Sequence, residues 1–130
     1  MILNDELLVG AKDTRLYSVY IPNVLECSPE LCIYEAKEVT LTQEKVYRTS
    51  KPLMVDSLSA TVWLHQTDLA KEYDLSSGSV WYYAHEKIAR LKLQSACAQR
   101  IVTIRQKMEL YESVIKDLEA KLEIPEGGVV

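Results

Sequence analysis

The side chains of this 130-residue chain that could do bond-making chemistry are few and scattered. Two of its three cysteines, Cys27 and Cys32, lie in CSPELC, and its two histidines are His65 and His85. A structural zinc needs four closely paired thiolate or imidazole ligands, and these histidines lie too far from the cysteines to supply them. The thiols therefore read as small, partly buried groups in a reducing compartment, with a Cys27–Cys32 disulfide as the alternative. No His–carboxylate pair, nucleophile elbow or phosphate loop stands out, so neither an enzyme, a cofactor nor a metal site is expected. The chemistry that remains is recognition. It centres on the aromatic run Trp81-Tyr82-Tyr83 and the basic side chains after it.

Charge is unevenly placed. Residues 1–84 hold 7 basic and 12 acidic side chains. Residues 85–107 hold six basic (Lys87, Arg90, Lys92, Arg100, Arg105, Lys107) and one acidic, and residues 108–130 hold two basic and six acidic. The overall net charge of −4 disfavours a nucleic-acid partner, because neutralising phosphate needs Lys and Arg, but the middle block carries +5. The opening MILNDELLVG has acidic residues where a secretion signal needs basic ones, and no window is long and apolar enough to span a bilayer. A cytoplasmic protein with no membrane partner is expected.

These residues need elements to position them. RLYSVYI (Arg15 to Ile21) is rich in Tyr and β-branched residues and stops at Pro22, which predicts a strand. Leu31–Tyr34, Val39–Thr42 and Lys45–Thr49 predict further short strands, with EAKE separating the first two. From Val55 the pattern becomes helical. Asp56 or Ser57 caps a first helix ending near His65 or Gln66, Thr67 caps a second over Asp68 to Tyr73, and Ser76 or Ser77 caps a third. Ser79 to Ile124 contains neither Gly nor Pro, so the third helix is expected to run to Leu122, roughly 65 Å at about 1.5 Å per residue.

Within this region Leu69-Ala70, Tyr73, Asp74, Leu75, Val80 and Tyr83 fall at the spacing of small, apolar and turn positions that resembles the helix-turn-helix of bacterial and phage DNA-binding proteins. The resemblance covers about residues 66–88. It departs from the pattern at Asp74, where Gly is usual, and at Tyr83, which is bulkier than the usual aliphatic. It implies that Ser76, Ser77, Ser79, Trp81 and Tyr82 face base edges, with Gln66 and Thr67 near the backbone. His85, Lys87, Arg90 and Lys92 would follow along the same helix against phosphate.

Further on, Ile101, Ile104, Met108, Tyr111, Ile115, Leu118 and Leu122 alternate in steps of three and four, a heptad seam for a dimer. Lys107 and Glu112 are spaced for an interchain ion pair in a parallel arrangement. An upstream stripe (Ala84, Ile88, Leu91, Ser95, Ala98, Val102) is offset by one residue and reads as packing on the module's own core. The helix should end at Pro125.

The expected fold is α+β: a small antiparallel β region at 1–54, a helix-turn-helix module at 55–92, a coiled-coil helix at 93–124 and a flexible tail at 125–130. Two functions fit it. One is a dimeric, sequence-specific regulator of transcription binding double-stranded DNA. The other is a protein–protein interaction factor (an antirepressor, inhibitor or assembly protein) whose helical part binds a protein; the acidic N-terminal region favours this one.

Overall fold

The run RLYSVYI forms the middle of strand β1 (Lys12–Pro22), as its β-branched and aromatic content predicts. A computed structural model of the chain describes residues 3–49, 53 and 63–123. The chain divides into two units, Met1–Cys97 and Ala98–Val130.

In the first unit, β1 is joined by β2 (Glu30–Leu41), β3 (Glu44–Thr49), β4 (Trp63–His65), β5 (Tyr73–Leu75) and β6 (Gly78–Tyr83). These strands form one antiparallel sheet in the order β4-β3-β2-β1-β6-β5. A helix, α1 (Glu86–Leu122), starts in this unit directly after β6. The two edge strands, β4 and β5, are neighbours in sequence. A flat sheet would hold them about 24 Å apart across five strand gaps. The segment between them contains a 3-10 turn (Gln66–Asp68) and a left-handed residue, Ala70 with φ 58°, and is too compact to reach that far. The sheet therefore curls into a half-barrel. The connector is stitched to both sides of the opening. The Ala70 amide donates to the Tyr82 carbonyl of β6 at 2.7 Å, and the Lys45 amide of β3 donates to Gln66 Oε1 at 3.4 Å.

Both faces of the curled sheet are covered where β1 and β6 meet, which explains four consecutive buried residues, Leu16 to Val19. Period-2 alternation sends Leu16, Val80 and Tyr82 inward to a core shared with Ala36, Tyr47, Leu53 and Leu64. Tyr73 and Tyr82 meet there with ring centroids 5.8 Å apart and tilted by 59°. The same alternation sends Tyr17, Val19 and Tyr83 outward, where Ala89 of α1 packs on them with Leu93 and Trp81 at the margin. Ala89 is wholly buried, so the helix sits close to the sheet at that point.

Two corrections follow. The stretch expected to be a helix-turn-helix is not helical. Trp63–His65 is a strand, Gln66–Asp68 is a single 3-10 turn, and Tyr73–Tyr83 is a β-hairpin closed by Ser76-Ser77, with Leu75 opposite Gly78. The expected first helix falls mostly on residues outside those described. Aromatic and β-branched residues in VWYY favour a pleated surface, and their alternation fits a sheet covered on both faces, which outweighs the helical spacing of Leu69, Ala70 and Tyr73. Gly78 also belongs to the strand: a Cβ there would stand 2.3 Å from the Ile21 carbonyl oxygen. The α+β layout with a central helical module thus gives way to one half-barrel sheet followed by a single long helix among the described residues.

The second correction is smaller. The expected strands Leu31–Tyr34 and Val39–Thr42 merge into one continuous strand that ends at Leu41, with Thr42 in the turn, and the intervening EAKE is held extended across β1. Arg15 Nε lies 3.2 Å from Glu35 Oε1, Lys37 pairs with Asp13, and Ala36 faces the core. Helix-forming residues here obey the sheet because each meets a complementary partner across the ladder. β2 then turns into β3 through Thr42-Gln43, both left-handed at φ 48° and 66°, the type I′ turn that suits a hairpin's twist.

Candidate interaction surface

Helix α1 carries the largest exposed apolar surface among the described residues. In the second unit its residues have no Gly or Pro and are mostly good helix formers, so it stays helical to Leu122. Within that unit the seam positions are bare: Ile101 is 49% exposed, Ile104 37%, Met108 56%, Tyr111 57%, Ile115 51%, Leu118 54% and Leu122 78%. Val114, at 45%, widens the stripe. Helices in water gain most of their stability from burying an apolar face, and this one presents its face to solvent. Polar side chains serve the helix itself. Lys121 Nζ is 2.9 Å from Asp117 Oδ2, and Thr103 Oγ1 donates to the Gln99 carbonyl at 3.0 Å.

The charge of this segment is split along its length. Residues 98–107 carry Arg100, Arg105 and Lys107 and no acid, a net of +3. Residues 108–123 carry five acids (Glu109, Glu112, Asp117, Glu119, Glu123) against Lys116 and Lys121, a net of −3.

The residues expected to touch DNA are distributed over different elements of the first unit. Gln66 and Thr67 lie in the 3-10 turn, where the Thr67 hydroxyl donates to Glu44 Oε1 at 3.4 Å. Ser76 and Ser77 form the hairpin turn and are bound to the end of β1. Tyr20 donates its hydroxyl hydrogen to Ser77 Oγ at 2.6 Å, and the Asn23 amide donates to the Ser77 carbonyl at 2.8 Å. Ser79 donates to Asp74 Oδ1 at 3.2 Å. Tyr82 is wholly buried inside the half-barrel, while Trp81 lies on the outer face.

His85 immediately precedes α1, and its carbonyl accepts from the Ala89 amide at 3.1 Å. Lys87, Arg90 and Lys92 are on the helix itself. Two of these cations have local tasks. Arg90 is fixed on Glu86 Oε1 through Nε at 3.0 Å and Nη2 at 2.8 Å, and Lys92 Nζ stands 3.9 Å from the Trp81 ring centroid. The structure therefore brings no single helix face together from this set.

The concavities described in the first unit are shallow, and the largest of them is charge-paired. The largest of those described, about 650 Å³, is bordered by Asp5, Asp13, Glu35, Lys37 and Arg48. Its ions pair with one another: Lys37 with Asp13, and Arg48 Nε with Asp5 Oδ1 at 3.4 Å. Among the described residues no three His, Cys, Asp or Glu side chains converge as metal ligands. Of the thiols, Cys27 is exposed, and Cys32 and Cys97 are half-buried. No described helix is long and apolar enough to cross a membrane. Titration is perturbed chiefly at phenols. Burial pushes Tyr34, Tyr47, Tyr73 and Tyr83 up from 10.0, aided at Tyr47 by the Glu38 charge and at Tyr73 by Asp68.

The exposed apolar stripe of α1 was legible as a 3-4 spacing. The half-barrel was not, although three adjacent aromatics at 81–83 already signalled a surface with two apolar sides. No known protein family, curated protein or solved structure matches the chain.

Proposed function

We propose that this chain is a protein-interaction factor that acts by binding rather than by catalysis and self-associates through residues 101–122. The observation that carries this reading is the bare heptad seam, seven apolar side chains between 37% and 78% exposed on one helix. Surface of that kind on a regular 3-4 spacing is stabilised by knobs-into-holes packing with another helix. The half-barrel lies at the start of that helix, and the ion pairs of its largest described cleft suit contact with other polar protein surfaces. DNA recognition had rested on a helical reading module that residues 66–83 do not form.

The test is the mass of the purified full chain by size-exclusion chromatography with light scattering. The wild type should run at a multiple of the 14.8 kDa chain mass. Ile104→Asp with Ile115→Asp should run as a monomer with unchanged near-ultraviolet circular dichroism from the sheet. A wild type that is monomeric at tens of micromolar, or a double variant of unchanged mass, refutes the assignment. Co-elution with random duplex DNA at low salt would move it to a nucleic-acid partner.

A further inference from the structure

We propose that the occupant of the seam is a second copy of the same helix running antiparallel, with the two-fold axis between Met108 and Tyr111. This rests on the self-association proposed above and assigns its geometry. The charge split decides the direction. A parallel pair places the +3 segment (98–107) beside its own copy and the −3 segment (108–123) beside its own copy. An antiparallel pair lays each on its opposite, and like charges held side by side are destabilising.

The layers agree. Antiparallel pairing about that axis sets Ile101 against the partner's Leu118, Ile104 against the partner's Ile115 and Met108 against the partner's Tyr111. Each of these three layers is then a medium aliphatic pair or a thioether on a ring, and sulfur–aromatic contacts are favourable. Parallel pairing would instead stack Tyr111 on the partner's Tyr111 and Met108 on the partner's Met108. The flanks agree as well. Antiparallel pairing brings Arg105 to the partner's Glu112, twice by symmetry. In the parallel arrangement Lys107 gains the partner's Glu112, but Arg105 is driven against the partner's Arg100. The one like-charge approach in the antiparallel pair is Arg100 near the partner's Lys121, whose ammonium is already neutralised by Asp117 at 2.9 Å.

Orientation is measurable as a distance. Ala120 is exposed on the helix, away from the seam. A nitroxide at Ala120→Cys, with Cys27→Ser, Cys32→Ser and Cys97→Ser removing the native thiols, reports it by double electron–electron resonance. Twenty-one residue steps at about 1.5 Å plus the helix separation predict about 35 Å between labels in the antiparallel pair. A parallel pair would give about 20 Å, and that distance in a dimer overturns the orientation while leaving self-association intact. A monomeric mass with no dipolar signal overturns self-association itself.

A second variant keeps the native cysteines and decides the matter if the thiol-free chain does not fold. Arg105→Glu removes two attractive pairs and creates two repulsive ones in the antiparallel dimer. It should raise the dimer dissociation constant roughly tenfold. In a parallel dimer it would face Arg100 and lower that constant. Adding Glu112→Arg should restore the wild-type value for the antiparallel pair. Tightening by Arg105→Glu alone would overturn the proposal.

Discussion

Replacing Thr42-Gln43 by Asn-Gly relieves strain that the β2–β3 hairpin holds. Both residues are left-handed, with φ 48° and 66°, and the turn they form requires this of each. For residues bearing a Cβ that conformation costs roughly 1–2 kcal/mol each, and a β-branched side chain such as Thr is the least suited to it. Asn tolerates the region and Gly enters it freely, but Gly gives back about 0.5–1 kcal/mol through the flexibility it adds to the unfolded chain. The net expectation is a gain of about 1.5 kcal/mol, or a rise in Tm of about 4–8 °C for a chain of this size. Urea unfolding followed by far-ultraviolet circular dichroism would measure it, the midpoint rising with an unchanged slope. Thr42→Asn alone should account for part of the gain. An unchanged or lowered midpoint in the double variant, with the sheet signal intact, would show that the turn is not the type I′ that the backbone angles describe.

Two further outcomes follow from the first unit. Gly78→Ala drives a methyl group to within 2.3 Å of the Ile21 carbonyl oxygen and 2.9 Å of Pro22 Cα, both main-chain atoms. It should cost about 1–3 kcal/mol in denaturant titration, and a loss under 0.5 kcal/mol would mean that β1 and β6 part easily there. The raised phenols of Tyr34, Tyr47, Tyr73 and Tyr83 set an alkaline limit. A phenol that titrates higher when folded than when unfolded favours folding in its neutral form. Its contribution is complete below pH 10 and disappears as pH rises through the folded value. Unfolding free energy should therefore fall above pH 10, and tyrosinate absorbance should rise with unfolding; stability that is level to pH 11.5 would contradict this.

The legibility of the fold in the sequence varied with how local its causes were. RLYSVYI announced its strand because every residue in it favours one. EAKE concealed the middle of β2 because its partners, Asp13 and Arg15, lie twenty or more positions away, and cross-strand pairing overrode helix propensity. Residues 66–83 matched a helical template because Ala70, Asp74, Leu75 and Val80 suit a reversing chain in either setting. Ala70 does occupy a left-handed bend, but one that hands the chain from one sheet edge to the other. The clue that discriminates was Trp81-Tyr82-Tyr83. No helix buries three consecutive aromatics on one stripe, whereas a strand covered on both faces buries Tyr82 on one side and Tyr83, with Trp81 half-buried beside it, on the other. The exposed apolar stripe of α1 was legible because a 3-4 spacing is a purely local pattern.

The placement of β1 bears on how the molecule is made. Its neighbour on one side, β2, follows at once in the chain, but its neighbour on the other is β6, with Tyr17 and Tyr83 paired across 66 positions. During synthesis β1 to β3 can form a meander while β6 is still unmade, leaving one rim of β1 with vacant amides and carbonyls and apolar Leu16 and Val19 uncovered. That intermediate is a template for pairing with other chains, and long-range closure is the slow step of such topologies. Arrival of the β5–β6 hairpin ends the hazard in one move: it supplies the missing ladder, draws the connector across the opening, and delivers the first turns of α1 onto the outer face.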